Sequence, residues 1–206
     1  MMNIGIDFDG TVLDSRKRHS VALLKASQSL EVLLPAKLVQ NFVNEKAIGI
    51  SGLEVLKKYN IENADKLYSM WISIIEDESM LAYDKLYRGV KEHLELVCEN
   101  YNLYLVTART YKKRALDQIH RFGLEKIFSD VFIIETKNNI FIGQSKSEKT
   151  KKCNIQCVIG DTEIDMKWAE FSGAEFRAVT CGFRNKSFWM TKCDSIYSDL
   201  IHAMEF

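Results

Sequence analysis

Five short apolar runs punctuate this chain: Met2 to Ile6, Leu103 to Val106, Val131 to Ile134, Ile155 to Ile159 and Phe176 to Val179. Runs of this length that end in polar clusters fit strands buried on both faces. Segments at helical spacing, Lys113 to Phe122 and Glu163 to Ser172, separate the later ones. Alternation of strand and helix leaves few options. The crossovers call for a parallel sheet with helices on both faces, so the expected class is α/β, Rossmann-like.

The stretch from about Ser15 to Arg88 breaks the alternation. Val21-Leu24, Val32-Leu33, Leu38-Phe42, Leu53-Leu56 and Leu67-Trp71-Ile74 recur at helical spacing, with no run suggesting a strand. Three to five helices are expected here, forming a small bundle inserted after the first strand. The division is therefore 1–14 with 89–206 as an α/β core, and 15–88 as the helical insert. The 206 residues are 47% hydrophobic and 27% charged, enough to bury a core without disulfides or metal.

Charge narrows the partners. Lys plus Arg and Asp plus Glu both total 28, and a net charge of zero argues against a nucleic-acid binder. The longest stretches without a charged residue, Leu67 to Ile75 and Asn100 to Ala108, are nine residues long, about half a membrane span. No basic-then-apolar leader opens the sequence, and five cysteines read as free thiols, so a cytoplasmic protein is expected. Cys153 and Cys157 are four apart, but Cys157 falls inside an apolar strand, which speaks against zinc.

Chemistry concentrates at the strand ends. The first run leads into Asp7-Phe8-Asp9-Gly10-Thr11. Period-two geometry points Asp7 and Asp9 the same way, and paired carboxylates favour a divalent cation. Gly10 permits a tight turn and close backbone approach. A turn with two solvated acids is the plainer alternative. Ile155 to Ile159 leads likewise into Gly160-Asp161-Thr162-Glu163-Ile164-Asp165. Asp161 and Asp165, four apart, can reach one metal from a loop and a first helical turn; ordinary helix capping is the alternative. Thr107, followed by Ala108 and Arg109, ends a third strand with a hydroxyl and backbone amides suited to a phosphate oxygen. Ser145 and Glu148 have capping-box spacing, which puts Lys146 in a first helical turn, with Lys149 close behind.

The order of these elements resembles the haloacid dehalogenase-like hydrolases, and in particular their phosphoglycolate phosphatase-like branch with a helical cap. Asp7 to Thr11 is similar to the family's first motif, Thr107 to the second, a lysine near position 146 to the third and Gly160-Asp161 through Asp165 to the fourth. Proline commonly follows the family's lysine, whereas Ser147 follows Lys146, so Lys149 stays open beside Lys146. The insert resembles the cap, and Gly89 to Leu94 the return to the core.

The resemblance implies a phosphatase acting on a small phosphorylated metabolite through an aspartyl-phosphate. Asp7 is the implied nucleophile and Asp9 the acid and base. Gly10, Thr11, Thr107, Ala108 and the lysine are the implied phosphate-binding groups. Mg2+ is the implied cofactor, held by Asp7, Asp9, Asp161 and Asp165. The carboxylate at position 9 separates phosphatases from the family's dehalogenases. It leaves open a phosphomutase of the β-phosphoglucomutase type. A receiver-like phosphate-accepting domain is a non-enzymatic alternative, but its phosphorylated aspartate would follow a middle strand and it would need no insert. Arg16, Arg18 and His19, just past the first motif, are candidates to meet the substrate, while Trp71, Trp168 and Trp189 read as core.

Overall fold

The computed structural model describes residues 1–136 and 141–205. In chain order, β1 is Met2–Ile6, β2 Leu13–Asp14, α1 Arg16–Ser29, α2 Ala36–Ala47, α3 Gly52–Lys58, α4 Ala64–Ile74, α5 Glu78–Leu81 and β3 Lys85–Leu86. Then come α6 Val90–Val97, β4 Tyr101–Ala108, α7 Lys112–Arg121, β5 Asp130–Ile134, α8 Ile142–Thr150, β6 Cys157–Gly160 and α9 Glu163–Ser172. The chain closes with β7 Glu175–Val179, α10 Lys186–Trp189, β8 Ile196–Tyr197 and α11 Leu200–Ala203. No described helix is long and apolar enough to cross a membrane.

Six strands form one parallel sheet in the order β5-β4-β1-β6-β7-β8. Alternation sends successive side chains to opposite faces. Ile4, Ile6, Leu103, Leu105, Cys157 and Ile159 pack on one face with α6, α7 and α11. Val106, Ile134 and Val158 pack on the other with Trp168 and Ala169 of α9. Gly5 points to that second face, where any Cβ would collide with the Trp168 ring. The apolar runs are continuous because both faces are covered.

The chain moves outward from β1 through β4 to β5, then returns to β6 on the other side of β1. Strand order therefore reverses at β1, and in such sheets the ligand crevice opens at the carboxyl ends beside that switch point. The ends of β1, β4 and β6 meet there.

Helices α1 to α5 fill the interval between β2 and β3 and share their own core, which includes Leu23, Leu38, Phe42, Leu56, Leu67 and Trp71. The reading without strands in this stretch needs one correction. Leu13–Asp14 and Lys85–Leu86 pair as a short antiparallel ribbon where the chain leaves and re-enters the α/β layer. Two-residue strands carry no periodicity, so only the tertiary pairing reveals them. Val90 follows Gly89, which takes φ +77 at the turn into α6.

Candidate active site

Asp7 continues the β1 ladder by one bond, its amide donating to the Ile159 carbonyl at 3.0 Å. The strand then breaks into a turn. Phe8 buries with Ile4 and Ile6, and its carbonyl accepts the amides of Val12 and Leu13. Period-two geometry stops before Asp9. Both side chains still border one cavity, as expected, but Asp9 finds other partners and stays outside the acid cluster that Asp7 joins.

The Asp7 carboxylate turns towards Lys146, whose ammonium lies 2.5 Å from it and 2.7 Å from Asp165. Asp7, Asp161 and Asp165 each offer an oxygen within 4.8 Å of the others'. All three are buried. Three carboxylates against one ammonium leave two negative charges uncompensated. Burial, with Asp165 and Asp7 as further causes, pushes Asp161 well above the usual carboxylate range. Burial and Asp165 raise Asp7 to about 7 in spite of Lys146. Lys146 moves up as well: burial opposes its charge, but Asp165 and Asp7 outweigh burial.

The cluster is built to hold a cation. Asp161 Oδ2 accepts the Phe183 amide at 2.6 Å, while its Oδ1 is buried with no hydrogen-bond partner among the described residues. A buried carboxylate oxygen left in that state is costly. Hard oxygen donors around an excess of negative charge suit a divalent ion such as Mg2+. Close backbone approach makes the room: a Cβ on Gly10 or Gly182 would strike the Asp161 carboxylate, and one on Gly160 would strike Asp165. Gly10 also sits at φ +87, which strains any other residue.

Asp165 has a second task. Its Oδ2 accepts the Thr162 amide at 3.1 Å and hydroxyl at 2.8 Å, closing the first turn of α9. Capping and clustering, weighed as alternatives for this motif, are thus served by opposite oxygens of one carboxylate.

Asp9 joins no acid cluster by its side chain. Arg109 grips it through Nε at 2.7 Å and Nη2 at 2.9 Å, and Arg18 adds Nη2 at 2.5 Å. Burial alone would raise Asp9; the two guanidinium groups more than offset it and hold the carboxyl below its ordinary range.

Lys146 reaches the acids, whereas Lys149 is exposed on the outside of α8. The expected capping box of Ser145 and Glu148 does not form. Helix α8 begins at Ile142, so Ser145 is no cap and Lys146 stands in the second turn. Glu148 bonds Gln144 rather than the Ser145 backbone.

A cavity of about 490 Å³ opens over these groups, lined by Asp7, Asp9, Thr107, Ala108, Lys146 and Asp165 among others. Gly10 and Thr11 do not line it. The Gly10 amide is spent on the Leu13 carbonyl at 2.7 Å, and Thr11 is buried beneath. Beyond Ala108 the amides are also taken: Arg109 donates to Ile134, and Thr110 and Tyr111 to the Glu76 carboxylate. Arg18 and His19 face the cavity, but Arg16 pairs with Asp14 outside it.

Several lining groups lay outside the sequence motifs. Glu76 reaches from the helical insert to the start of α7 and buries there. Lys46, at the end of α2, projects among Trp71, Phe183 and Phe42, its ammonium 4.3 Å from the Phe183 ring centre and 2.9 Å from His19 Nδ1. Among the described residues no carboxylate pairs with it. Burial, then Arg184 nearby, lowers it to about 7. Trp71, expected as core, is core and wall together: it packs in the insert and borders the cavity.

Comparison with known proteins agrees with this geometry. The family model described as haloacid dehalogenase-like hydrolase matches residues 4–179. No curated protein matches the sequence. Among solved structures, a haloacid dehalogenase-like family hydrolase from Streptococcus pneumoniae is 19% identical, with TM-score 0.72 over 98% of this chain and 95% of that one. A predicted phosphoglycolate phosphatase from Haemophilus somnus is 20% identical, with TM-score 0.73 over 98% and 95%. A protein assigned as a β-phosphoglucomutase from Thermotoga maritima is 18% identical, with TM-score 0.67 over 99% and 97%.

Proposed function

The chain belongs to the haloacid dehalogenase-like hydrolases, and on that footing we propose that it is an Mg2+-dependent phosphatase that hydrolyses a small phosphomonoester through an aspartyl-phosphate on Asp7. The observation that carries this reading is the buried triad of Asp7, Asp161 and Asp165, with Lys146 bonded to the first and last of them and two charges short of neutrality, where Asp7, Asp165 and Lys146 line a metabolite-sized cavity.

An oxygen of Asp7 attacks phosphorus, the bond to the leaving oxygen breaks, and Asp9 gives that oxygen a proton. A water then attacks the aspartyl-phosphate, its proton passes to Asp9, and the phosphorus–oxygen bond to Asp7 breaks to release phosphate. Lys146 and Thr107 hold the equatorial oxygens. Asp7, Asp161 and Asp165, with the Asp9 backbone carbonyl, would hold Mg2+. The ion supplies the positive charge that lets an anionic nucleophile approach an anionic phosphate. The rest of the substrate lies against Lys46, Trp71, Ile72 and Phe183. The insert over residues 15–88 thus acts as a cap that selects the leaving part, while the core over 1–14 and 89–206 performs the chemistry.

A phosphate-release screen over small phosphomonoesters tests this, with and without Mg2+ and in Asp7→Asn. Release should need Mg2+ and fall by about a thousandfold or more in the variant, with the fold retained. Turnover of Asp7→Asn within about tenfold of wild type ends the reading. Conversion of one sugar phosphate to its isomer, without phosphate release, points to the mutase alternative.

A further inference from the structure

Two buried arginines on one carboxylate call for an explanation. Arg109 and Arg18 are 2% and 3% exposed, and neither was required by the motifs. Behind them lie two more buried polar groups. Arg109 Nη2 also donates to Gln118 Oε1 at 3.0 Å, and Gln118 Nε2 donates to Asp84 Oδ2 at 2.7 Å. Asp84 Oδ2 in turn pairs with Arg18 Nη1 at 2.9 Å. Asp9, Arg109, Gln118, Asp84 and Arg18 therefore form a closed ring.

The ring crosses the junction between the two parts of the molecule. Arg109 follows β4 and Gln118 lies on α7 of the α/β layer, whereas Arg18 belongs to α1 and Asp84 directly precedes β3. A buried ion network of this kind does little for net stability, because desolvation cancels most of the attraction. What it supplies is a fixed direction. Asp9 Oδ1 accepts two N–H groups, from Arg109 and Arg18, which fills both of its lone-pair sites. Among the described residues Oδ2 accepts only one, from Arg109 Nε. One lone pair on Oδ2 remains, on a side chain that borders the cavity.

Resting on the phosphatase reading above, we propose that Arg109, braced by Gln118, Asp84 and Arg18, is a positioning residue that aims the free lone pair of Asp9 Oδ2 at the water that cleaves the aspartyl-phosphate, and that it ties this aim to the seating of the helical insert. The water oxygen bonds to phosphorus, its proton goes to Asp9 Oδ2, and the electron pair of the broken bond returns to Asp7. Without the fork, Asp9 can rotate away and this second half-reaction slows. Formation of the aspartyl-phosphate also draws a proton from Asp9, but an aryl leaving group departs with little need of it, so with an aryl phosphate that half-reaction suffers less.

The test is rapid-quench kinetics of Arg109→Leu with Mg2+ and two substrates, one chromogenic aryl phosphate and one alkyl phosphate. The water step is common to both. The kcat for the aryl phosphate should fall about 30-fold or more below wild type and KM should fall with it, because kcat/KM reports only the first half-reaction, and the alkyl kcat should fall at least as far. Hydroxylamine-trapped phosphoenzyme should accumulate towards one per active site. Arg109→Lys keeps the buried charge but not the two-pronged grip, so it should fall in between even if the leucine variant folds poorly. Gln118→Leu removes the brace alone and should give a smaller loss of the same kind. A merely structural role predicts less active enzyme, with burst and steady rate falling in parallel and no trapped phosphoenzyme; that result, or an unchanged kcat, overturns the inference alone. Absence of phosphoenzyme in an active wild type overturns it together with the aspartyl-phosphate reading.

Discussion

Asp161→Asn probes the cation site with little disturbance to the rest of the cavity, because the Phe183 amide is the one hydrogen bond its carboxylate accepts among the described residues and its strongest charged neighbours are Asp7 and Asp165. The asparagine carbonyl can keep the Phe183 bond, so shape is preserved and one charge is removed. At the 4.8 Å limit separating the acid oxygens, each of the two repulsive pairs costs about 3.5 kcal/mol at an effective dielectric of about 20. Partial protonation already relieves much of this in the folded protein. In excess chelator the variant should therefore be more stable than wild type by about 1–3 kcal/mol, or roughly 2–12 °C in Tm for a chain of this size. Mg2+ at about a hundred times its Kd should raise wild-type stability by about 2.7 kcal/mol, some 5–10 °C, and the variant by little. The pH dependence follows the same logic. Asp7 and Asp161 have folded pKa values above their unfolded ones, so the folded state binds more protons. Their contribution to apo stability is then fully present below about pH 4 and is lost as pH rises towards 7 and beyond. Asp161→Asn should flatten that decline. Thermal melts with Mg2+ or chelator, from pH 4 to 8, read all of this. A variant no more stable than wild type in chelator, with an undiminished Mg2+ shift, refutes the cation site.

Three other outcomes follow from the same geometry. Lys146→Met removes the one cation bonded to two of the three buried acids and should cost about 3–5 kcal/mol by urea denaturation, with part recovered on adding Mg2+. Glu76→Ala takes away the carboxylate that the insert lends to the first turn of α7, and should lower stability by about 1–2 kcal/mol in the same assay. Lys46→Met should reduce kcat/KM for phosphomonoesters bearing a second anionic group by about tenfold or more, and leave neutral ones nearly unchanged. Because burial lowers Lys46 to about 7, the wild-type preference for such substrates should weaken as pH rises above 7, which a substrate panel at pH 6 and 8 measures.

Local chemistry wrote much of this protein legibly. Apolar runs of four to five residues marked the strands, since a strand covered on both faces needs no polar alternation. The helical periods between them fixed a parallel sheet, and acids placed just past Ile6 and Gly160 fell at the strand ends because a buried strand must surrender its polar residues there. Helical spacing from Val21 to Ile74 also announced the insert. Tertiary structure alone decided the rest. Lys146 enters the site from the second turn of α8, a register set by where that helix begins and not by Ser145 and Glu148. Asp9 borders the same cavity as Asp7 but stays out of its acid cluster, because Arg109, a hundred positions away in sequence, captures its carboxylate. Gln118, Asp84 and Arg18 close around that pair, and Lys46 reaches the cavity from the end of α2 and Glu76 from the turn between α4 and α5, where apolar periodicity records nothing of them. Periodicity encodes which side of an element is buried; it carries no record of which distant charge will be waiting there.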